Sequence, residues 1–328
     1  MEGVTHRFVE TNGINMHIAE QGSGPIVLLL HGYPSIWYMW RRQMQALADA
    51  GYHAIAPDQR GYGQTKGPDA EDQYTVMHLV GDIIGLLDAL GQQQVLVVGH
   101  DWGAIVGWWL CLLRPDRVKG YVSVAVPALP RLAGETDWLQ QWKATLGEGF
   151  YICRFQEPGR VERDFASVGT EATLKAFTCA FWDIRKGEVQ RNCVAPKDKE
   201  LSTVFHTGEL PSWYKEEDLK YCVEQFEKSG FTGPINWYRN LGRSYKLLAP
   251  WVGATISTKA YFITGEDCAV LKFPGISDLL QGPGFKQLVP NLRGSVYIKD
   301  AAHFVMEEQP EAFNENLLTF LADLQSNA

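Results

Sequence analysis

The sequence predicts an α/β fold in which a mainly parallel sheet is flanked by helices and a helical cap is inserted late in the chain. Three observations support this: short apolar runs bounded by Gly, Pro or Asp, helical patterns between them, and a break in that rhythm after Pro127. Short buried strands that alternate with helices are typical of parallel sheets. We therefore predict a core formed by residues 1–126 and 250–328, and a cap formed by residues 127–249.

The predicted strands are short runs of mainly branched and aromatic apolar residues, the composition of buried strands. They are Ile26–Leu30, His53–Ala56, Val95–Val98, Tyr121–Val126, Ala260–Thr264 and Ser295–Ile298. Two helical patterns lie between strands, at Val76–Leu90 with its apolar residues on one face and at Ala104–Leu113. In the predicted cap, Trp, Tyr and Phe accumulate among helical stretches, which is typical of aromatic packing and also of an apolar binding surface.

Length and composition limit the classes of partner. With 328 residues and 45% hydrophobic residues, the chain can build one large core and a smaller covering unit. A formal net charge of -8 without a basic cluster argues against a nucleic-acid partner, which needs grouped Lys and Arg to neutralise phosphates. We expect a monomer or homodimer that binds a small molecule.

The chain carries no sign of export, membrane insertion or a bound cofactor. The longest early apolar run, Ile26–Leu30, is too short for a membrane span, and the first residues lack an apolar signal region. The six cysteines are scattered, which predicts a reduced, cytoplasmic setting rather than a zinc site or a disulfide scaffold. A phosphate-binding loop and a dinucleotide fingerprint are both missing, so we expect no metal and no organic cofactor.

A Gly-x-Asp-x-Gly segment carries the strongest chemical signal. Residues 99–103 read Gly-His-Asp-Trp-Gly, between a predicted strand and a predicted helix, so Asp101 is expected on a tight turn that exposes its side chain. Hydrolases with this pattern usually carry serine, which must lose a proton before it attacks. An aspartate is already ionised at neutral pH and can attack a saturated carbon directly, which leaves an ester on the protein.

Two further loops complete the predicted site. His31–Pro34 follows another strand, and its Tyr33 N–H is expected to form an oxyanion hole with the N–H of Trp102. His303, in Ala301–Phe304 near the end of the chain, is the candidate base. The order of nucleophile, acid and histidine along the chain matches the α/β-hydrolase arrangement.

Taken together, these motifs resemble the soluble epoxide hydrolases of the plant type, within the α/β-hydrolase superfamily, over essentially the whole chain. The matching segments are His31–Pro34, Trp37–Arg41, Asp58–Gly63, Gly99–Ala104, Tyr151–Gln156, Asn236–Asn240 and Ala301–Phe304. The resemblance implies that an apolar epoxide is opened to a vicinal diol through an alkyl ester on Asp101, and that His303 then activates water. The expected substrate pocket includes Trp102, Trp182, Trp237 and Phe304.

By the same resemblance, Tyr151 and Tyr238 are the two cap phenols that grip the epoxide oxygen. Their chemistry suits this role. A phenol with an ordinary pKa near 10 keeps its proton at pH 7, can hydrogen-bond to the ring oxygen, and can protonate the far more basic alkoxide as the ring opens.

At two positions the chain departs from the family pattern. The family places the carboxylate that orients the histidine two residues beyond Glu266, where this chain has Cys268, with Asp267 one residue early. Plant-type relatives also carry a glutamate at the position of Ser35, which is thought to hold the hydrolytic water with the residue that matches His100. Three interpretations stay open: Asp267 shifts to serve His303, hydrolysis is slow, or the reaction differs, with a nucleophile of the substrate itself closing a ring.

Other functions fit the sequence less well. Relatives that act as hormone receptors carry serine where this chain has Asp101, which argues against a non-catalytic ligand-binding receptor. Dehalogenases share the aspartate nucleophile but give two cap tyrosines no role. The residue after Asp101 is also Trp102 rather than the arginine of the fluoroacetate enzymes.

Overall fold

The computed structural model describes residues 3–131, 133–134, 137–183, 193–204 and 209–326. Its strands are β1 (Thr5–Thr11), β2 (Ile14–Gly22), β3 (Ile26–Leu30), β4 (His53–Pro57), β5 (Val95–His100), β6 (Val118–Val124), β7 (Ala260–Gly265) and β8 (Leu292–Ile298). They form one sheet in the order β1-β2-β4-β3-β5-β6-β7-β8. From β4 to β8 along that order neighbouring strands are parallel, whereas β1 and β2 pair antiparallel at one edge. The predicted α/β class with a mainly parallel sheet is confirmed.

The helices before and after the sheet strands flank the sheet. In the described residues the α-helices are α1 (Arg41–Asp49), α2 (Val76–Ala89), α3 (Trp102–Leu113), α4 (Trp138–Leu146), α5 (Tyr151–Arg154), α6 (Arg160–Val168), α7 (Thr170–Asp183), α8 (Glu216–Ser229), α9 (Thr232–Arg239), α10 (Leu241–Leu247), α11 (Ile276–Gln281), α12 (Gly284–Leu288), α13 (Val305–Glu308) and α14 (Pro310–Ser326). Helices α2 and α3 pack on each other and on the sheet, and α1 packs on α14 and the sheet.

The central strands of the sheet are apolar because helices cover both of its faces. Residues Val27–Leu30 and Val95–Val98 are almost fully inaccessible, because strands covered by helices on both faces have no polar side to present to water. Helix α3 is apolar nearly all round for the same reason, since it lies between the sheet and other helices. Among the described residues, no helix is both long and apolar enough to cross a lipid bilayer.

The parallel strands bring four loops together at the carboxyl-terminal end of the sheet. Leu30 pairs with Gly99 and Gly265 pairs with Ile298, so β3, β5, β7 and β8 all finish at that end. The loops that follow them contain Tyr33, Asp101, Cys268 and His303. Helices α4 to α10 occupy the chain between β6 and β7. Among their side chains, Tyr151 of α5 and Tyr238 of α9 line a cavity together with Asp101, at the carboxyl-terminal end of the sheet.

Candidate active site

A sharp turn presents Asp101 at the start of α3. Its backbone has φ 54° and ψ -118°, a region that L-residues occupy only under constraint. The turn is held by its backbone oxygen, which accepts from the N–H groups of Ala104 and Ile105. A side-chain carbon at Gly103 would overlap the backbone oxygen of Leu30, so only glycine lets α3 approach the sheet this closely. The predicted strand, turn and helix are therefore present in the order that exposes Asp101.

The loop after β3 donates a hydrogen bond to the Asp101 carboxylate. Tyr33 N–H lies 2.8 Å from Oδ1. Gly32 is required for this approach, because a side-chain carbon there would overlap the Asp101 side chain. The expected second donor, Trp102 N–H, makes no hydrogen bond to the carboxylate in the described structure. Of the two predicted oxyanion-hole donors, the Tyr33 N–H therefore binds the Asp101 carboxylate itself.

His303 faces Asp101 from the opposite side. Its Nε2 lies 3.5 Å from Asp101 Oδ2, and its ring stacks on Phe181 with centroids 4.9 Å apart. Burial alone would lower the pKa of His303, but the Asp101 carboxylate and Cys268 raise it above the usual value for histidine. Burial would likewise raise the pKa of Asp101, while His303 and the Tyr33 N–H hold it below its usual value. Each of the two groups therefore shifts the pKa of the other toward its charged form.

Cys268, not Asp267, lies against the other nitrogen of His303. The Cys268 Sγ is 3.5 Å from His303 Nδ1, and the thiol is fully buried. Asp267 is partly exposed, and its backbone N–H donates to Ala301 O. In this structure the turn after β7 brings the Cys268 thiol, at the position of the family's acid, to hydrogen-bond distance of His303, and the role expected of Asp267 stays a prediction.

A buried glutamate that the sequence analysis missed fixes the loop around His303. Glu308 accepts hydrogen bonds from the backbone N–H groups of Ala302, at 2.6 Å, and Phe304, at 2.9 Å. These two bonds clamp the residues on both sides of His303. The sequence offered no direct signal for this role, because a glutamate in the last turn before a second helix is typical of a solvated position.

Two phenols face Asp101 across a cavity that we call the central cavity. Its lining includes Asp101, Trp102, Tyr151 from α5, Phe181 from α7 and Tyr238 from α9, and its empty volume is about 550 Å³. The rings of Tyr151 and Tyr238 lie 6.1 Å apart. Burial, and then the nearby Asp101 charge, raise the pKa of the Tyr151 phenol well above its usual value, and Tyr238 shifts in the same direction. Both phenols therefore stay protonated at neutral pH.

A larger apolar cavity adjoins the central cavity. Its empty volume is about 990 Å³, and it shares Trp102, Ile105, Leu129, Trp142 and Leu241 with the central cavity. Much of the remaining lining is also tryptophan and leucine. A ligand that reaches Asp101 therefore meets mostly apolar walls.

Of the predicted pocket residues whose side chains the structure describes, one lines the central cavity and two do not. Trp102 lines the central cavity as expected. The expectation for Trp237 is not met, because its indole is buried behind Trp102 and donates to Arg60 O at 3.0 Å. Phe304 lines a separate cavity and packs on His303. The side chain of Trp182 lies outside the described residues.

His100 and Ser35, the predicted water-site residues, both lie outside the lining of the central cavity. His100 is fully buried, and its Nε2 donates to the backbone oxygen of His303 at 2.9 Å. Ser35 lines the same separate cavity as Phe304 rather than the central cavity. In the described part of the chain, no group of three or more His, Cys, Asp or Glu side chains could hold a metal ion.

Comparison with known proteins places this geometry in a family. Residues 25–167 match the α/β-hydrolase fold family model. An epoxide hydrolase of Siraitia grosvenorii is 42% identical over 321 residues, covering 98% of this chain and 99% of that protein. The chain belongs to the epoxide hydrolase family. It is therefore an enzyme of the hydrolase class with an α/β-hydrolase fold.

Solved structures of epoxide hydrolases show the same architecture. An epoxide hydrolase from Vigna radiata has a TM-score of 0.91 and 42% identity, covering 98% of this chain and 99% of that one. A mutant of the epoxide hydrolase from Solanum tuberosum has a TM-score of 0.90 and 40% identity, with 98% and 99% coverage. Epoxide hydrolase A of Mycobacterium tuberculosis is 36% identical over 332 residues. The plant relatives thus share both the sheet and the helices between β6 and β7.

Proposed function

We propose that this enzyme opens an apolar epoxide to a vicinal diol through an alkyl ester on Asp101, with residues 127–249 acting as its cap. The observation that carries the proposal is the convergence of an ionised carboxylate and two protonated phenols on one apolar cavity. An epoxide needs a nucleophile at carbon and a proton donor at oxygen. Asp101 supplies the first, and Tyr151 and Tyr238 supply the second.

In the first half-reaction, an Asp101 oxygen forms a bond to one epoxide carbon while the carbon–oxygen bond of the ring breaks. The electron pair of that bond goes to the ring oxygen, which takes a proton from one of the phenols. The Tyr33 N–H already points at Asp101 Oδ1, so it also stabilises the negative charge that develops on the ester oxygen later.

Ester formation also prepares the base. The Asp101 charge raises the pKa of His303, and that charge disappears when the carboxylate becomes an ester. Burial then dominates and lowers the pKa, so the imidazolium returns a proton to the phenolate that the first half-reaction leaves. In the second half-reaction, neutral His303 takes a proton from water, and the water oxygen bonds to the ester carbon. The bond from that carbon to the alkyl oxygen then breaks, the diol oxygen takes the proton from His303, and a proton from solvent restores the resting histidine.

Replacing either phenol by phenylalanine should slow formation of the alkyl-enzyme. Because a positioned general acid contributes roughly 10² to 10⁴-fold, we expect losses of that size for Tyr151→Phe and for Tyr238→Phe. The measurement is the rate of alkyl-enzyme formation under single-turnover conditions with an apolar epoxide. The matched control is Tyr62→Phe, which also removes a fully buried phenol but lies outside the central cavity lining. Alkylation at the wild-type rate in both phenol variants would rule out the assigned roles.

A ring-closing enzyme of the same fold is the second candidate, and Cys268 favours it. A thiol is a weaker acceptor for the Nδ1–H than a carboxylate, so Cys268 stabilises the imidazolium that forms on water deprotonation less well than the acid of the family pattern would. Hydrolysis then slows, and a hydroxyl or amine of the substrate gains time to open the epoxide. Substrates bearing such internal nucleophiles distinguish the two candidates, because exclusive diol formation from them contradicts ring closure.

A further inference from the structure

A further cavity, which we call the rear cavity, adjoins the loop whose Tyr33 contacts Asp101. Its lining includes Ser35, Tyr38, Thr178, Phe304 and Glu307, and its empty volume is about 440 Å³. The loop after β3 joins the two spaces, since Tyr33 N–H points at Asp101 and Ser35, two residues further, lines the rear cavity. Phe304 lines this cavity, and its ring contacts that of His303 with centroids 5.1 Å apart.

The two cavities differ in polarity. Apart from Asp101 and the two phenols, the central cavity is lined by apolar and tryptophan side chains. The rear cavity offers hydroxyls and a carboxylate. An ordered buried water typically makes two to four hydrogen bonds, so it is held far better in the rear cavity than among apolar walls.

Glu307 presents an unsatisfied oxygen beside this space. Its Oε1 accepts from Arg41 Nη1 at 2.6 Å, whereas the buried Oε2 has no partner among the described residues. Glu307 is the one carboxylate among the described residues that line the rear cavity. A buried carboxylate oxygen without a hydrogen bond costs free energy, and a water molecule would supply one.

A second unpaired acceptor belongs to His100, whose ring lies beside Phe304. Burial lowers the pKa of His100 to about 3, so this imidazole is neutral, and its Nε2–H donates to His303 O. The lone pair therefore sits on Nδ1, which is buried and has no partner in the described structure. The His100 and Phe304 ring centroids are 5.7 Å apart, and Phe304 and Glu307 both line the rear cavity. His100 Nδ1 and Glu307 Oε2, the two unpaired acceptors, therefore belong to residues near Phe304.

We infer that the rear cavity stores the water that hydrolyses the Asp101 ester, and that Glu307 is the positioning residue that holds it. This inference rests on the proposed function. Glu307 takes no proton in the step: the water oxygen bonds to the ester carbon, His303 Nε2 receives one water proton, and the departing diol oxygen carries that proton away. Glu307 and Ser35 keep water within reach of His303.

Glu307 also has a structural role, distinct from holding water. Arg41 bridges Glu307 and Asp218 of helix α8, at 2.6 and 3.0 Å, so Glu307 also belongs to a buried ion cluster between the core and the helices over it. Asp218 contacts the same guanidinium but does not line the rear cavity. Asp218 also accepts a hydrogen bond from the Tyr38 hydroxyl at 2.9 Å, and an asparagine keeps an oxygen for that bond. Asp218→Asn therefore removes a charge from the cluster without replacing a lining residue, and it serves as the matched control.

The test mixes excess enzyme rapidly with an apolar epoxide and follows the alkyl-enzyme as it forms and then decays in a single turnover. For Glu307→Gln we expect an unchanged rate of alkylation and at least a tenfold slower hydrolysis of the ester. Asp218→Asn should alter thermal stability but not hydrolysis. Ser35→Glu in the Glu307→Gln background should restore hydrolysis, because it returns a carboxylate to the same cavity.

A second variant fills the rear cavity by enlarging another of its lining residues, Thr178. Thr178→Leu adds apolar volume without touching the ion cluster, and we expect it to slow ester hydrolysis and to spare alkylation. Wild-type hydrolysis in both Glu307→Gln and Thr178→Leu would overturn the inference, as would equal slowing by Asp218→Asn. Absence of any alkyl-enzyme in the wild type would instead refute the proposed function, and this inference with it.

Discussion

Asp101→Asn is expected to abolish epoxide turnover. Asparagine keeps the size of the side chain and tolerates the positive φ of this turn, but its amide is a very poor nucleophile. Removing the nucleophile of a catalytic triad costs on the order of 10⁶-fold in turnover, and we expect a loss of that size here. The measurement is diol formation from an apolar epoxide, with the accumulation of protein-bound substrate followed by intact-protein mass spectrometry.

The same variant also separates chemistry from folding. Asp101→Asn removes the negative charge beside His303 but leaves the apolar lining of the central cavity unchanged. Ligand binding to the cavity and the thermal unfolding transition should therefore persist. Diol formation within tenfold of the wild-type rate would show that Asp101 is not the nucleophile.

Cys268→Asp is expected to accelerate hydrolysis of the alkyl-enzyme. A carboxylate at this position accepts the Nδ1–H of His303, which places the lone pair on Nε2 and stabilises the imidazolium that forms as water is deprotonated. A wrong tautomer costs roughly 10⁴-fold in the serine-protease template, so the gain can reach about that size. Single-turnover kinetics should show the ester persisting in the wild type and disappearing faster in the variant.

Two controls accompany this substitution. Cys268→Asn has nearly the same shape as the aspartate variant but no charge, and Cys268→Ser keeps a neutral donor at the position. Neither should accelerate hydrolysis. Equal ester lifetimes in the wild type and in Cys268→Asp would show that the buried thiol already supports His303, and the proposed impairment would then be wrong.

Most of the sheet followed from the sequence because its central strands are continuous apolar runs. Strands β1 and β2 were missed, since β2 contains polar residues that its neighbours satisfy. His17, for example, is 1% exposed, and its Nδ1 lies 2.8 Å from Asp58 Oδ2. A buried polar residue whose partner lies far along the chain cannot be distinguished from an exposed one by its position in the sequence.

The sequence could not predict the conformation of the loop after β7 or the burial of Glu307 and Glu308, for a different reason. The motifs correctly indicated that Asp101 and His303 meet, because both follow parallel strands that end at one edge. Which of residues 267 and 268 faces the imidazole depends on a tight turn, in which Cys268 N–H bonds to Gly265 O. Glu307 and Glu308 are both buried in the structure, and the positions of two glutamates in a short helix do not reveal this from the sequence.

The most direct test of the ester on Asp101 is a single turnover with excess enzyme in water enriched in ¹⁸O, followed by mass analysis of diol and protein. In the proposed mechanism water attacks the ester carbon, so the heavy oxygen should appear in the peptide that contains Asp101 and the diol should stay unlabelled. Heavy oxygen in the diol and none in that peptide would mean that water attacks the epoxide directly, which would contradict the covalent mechanism.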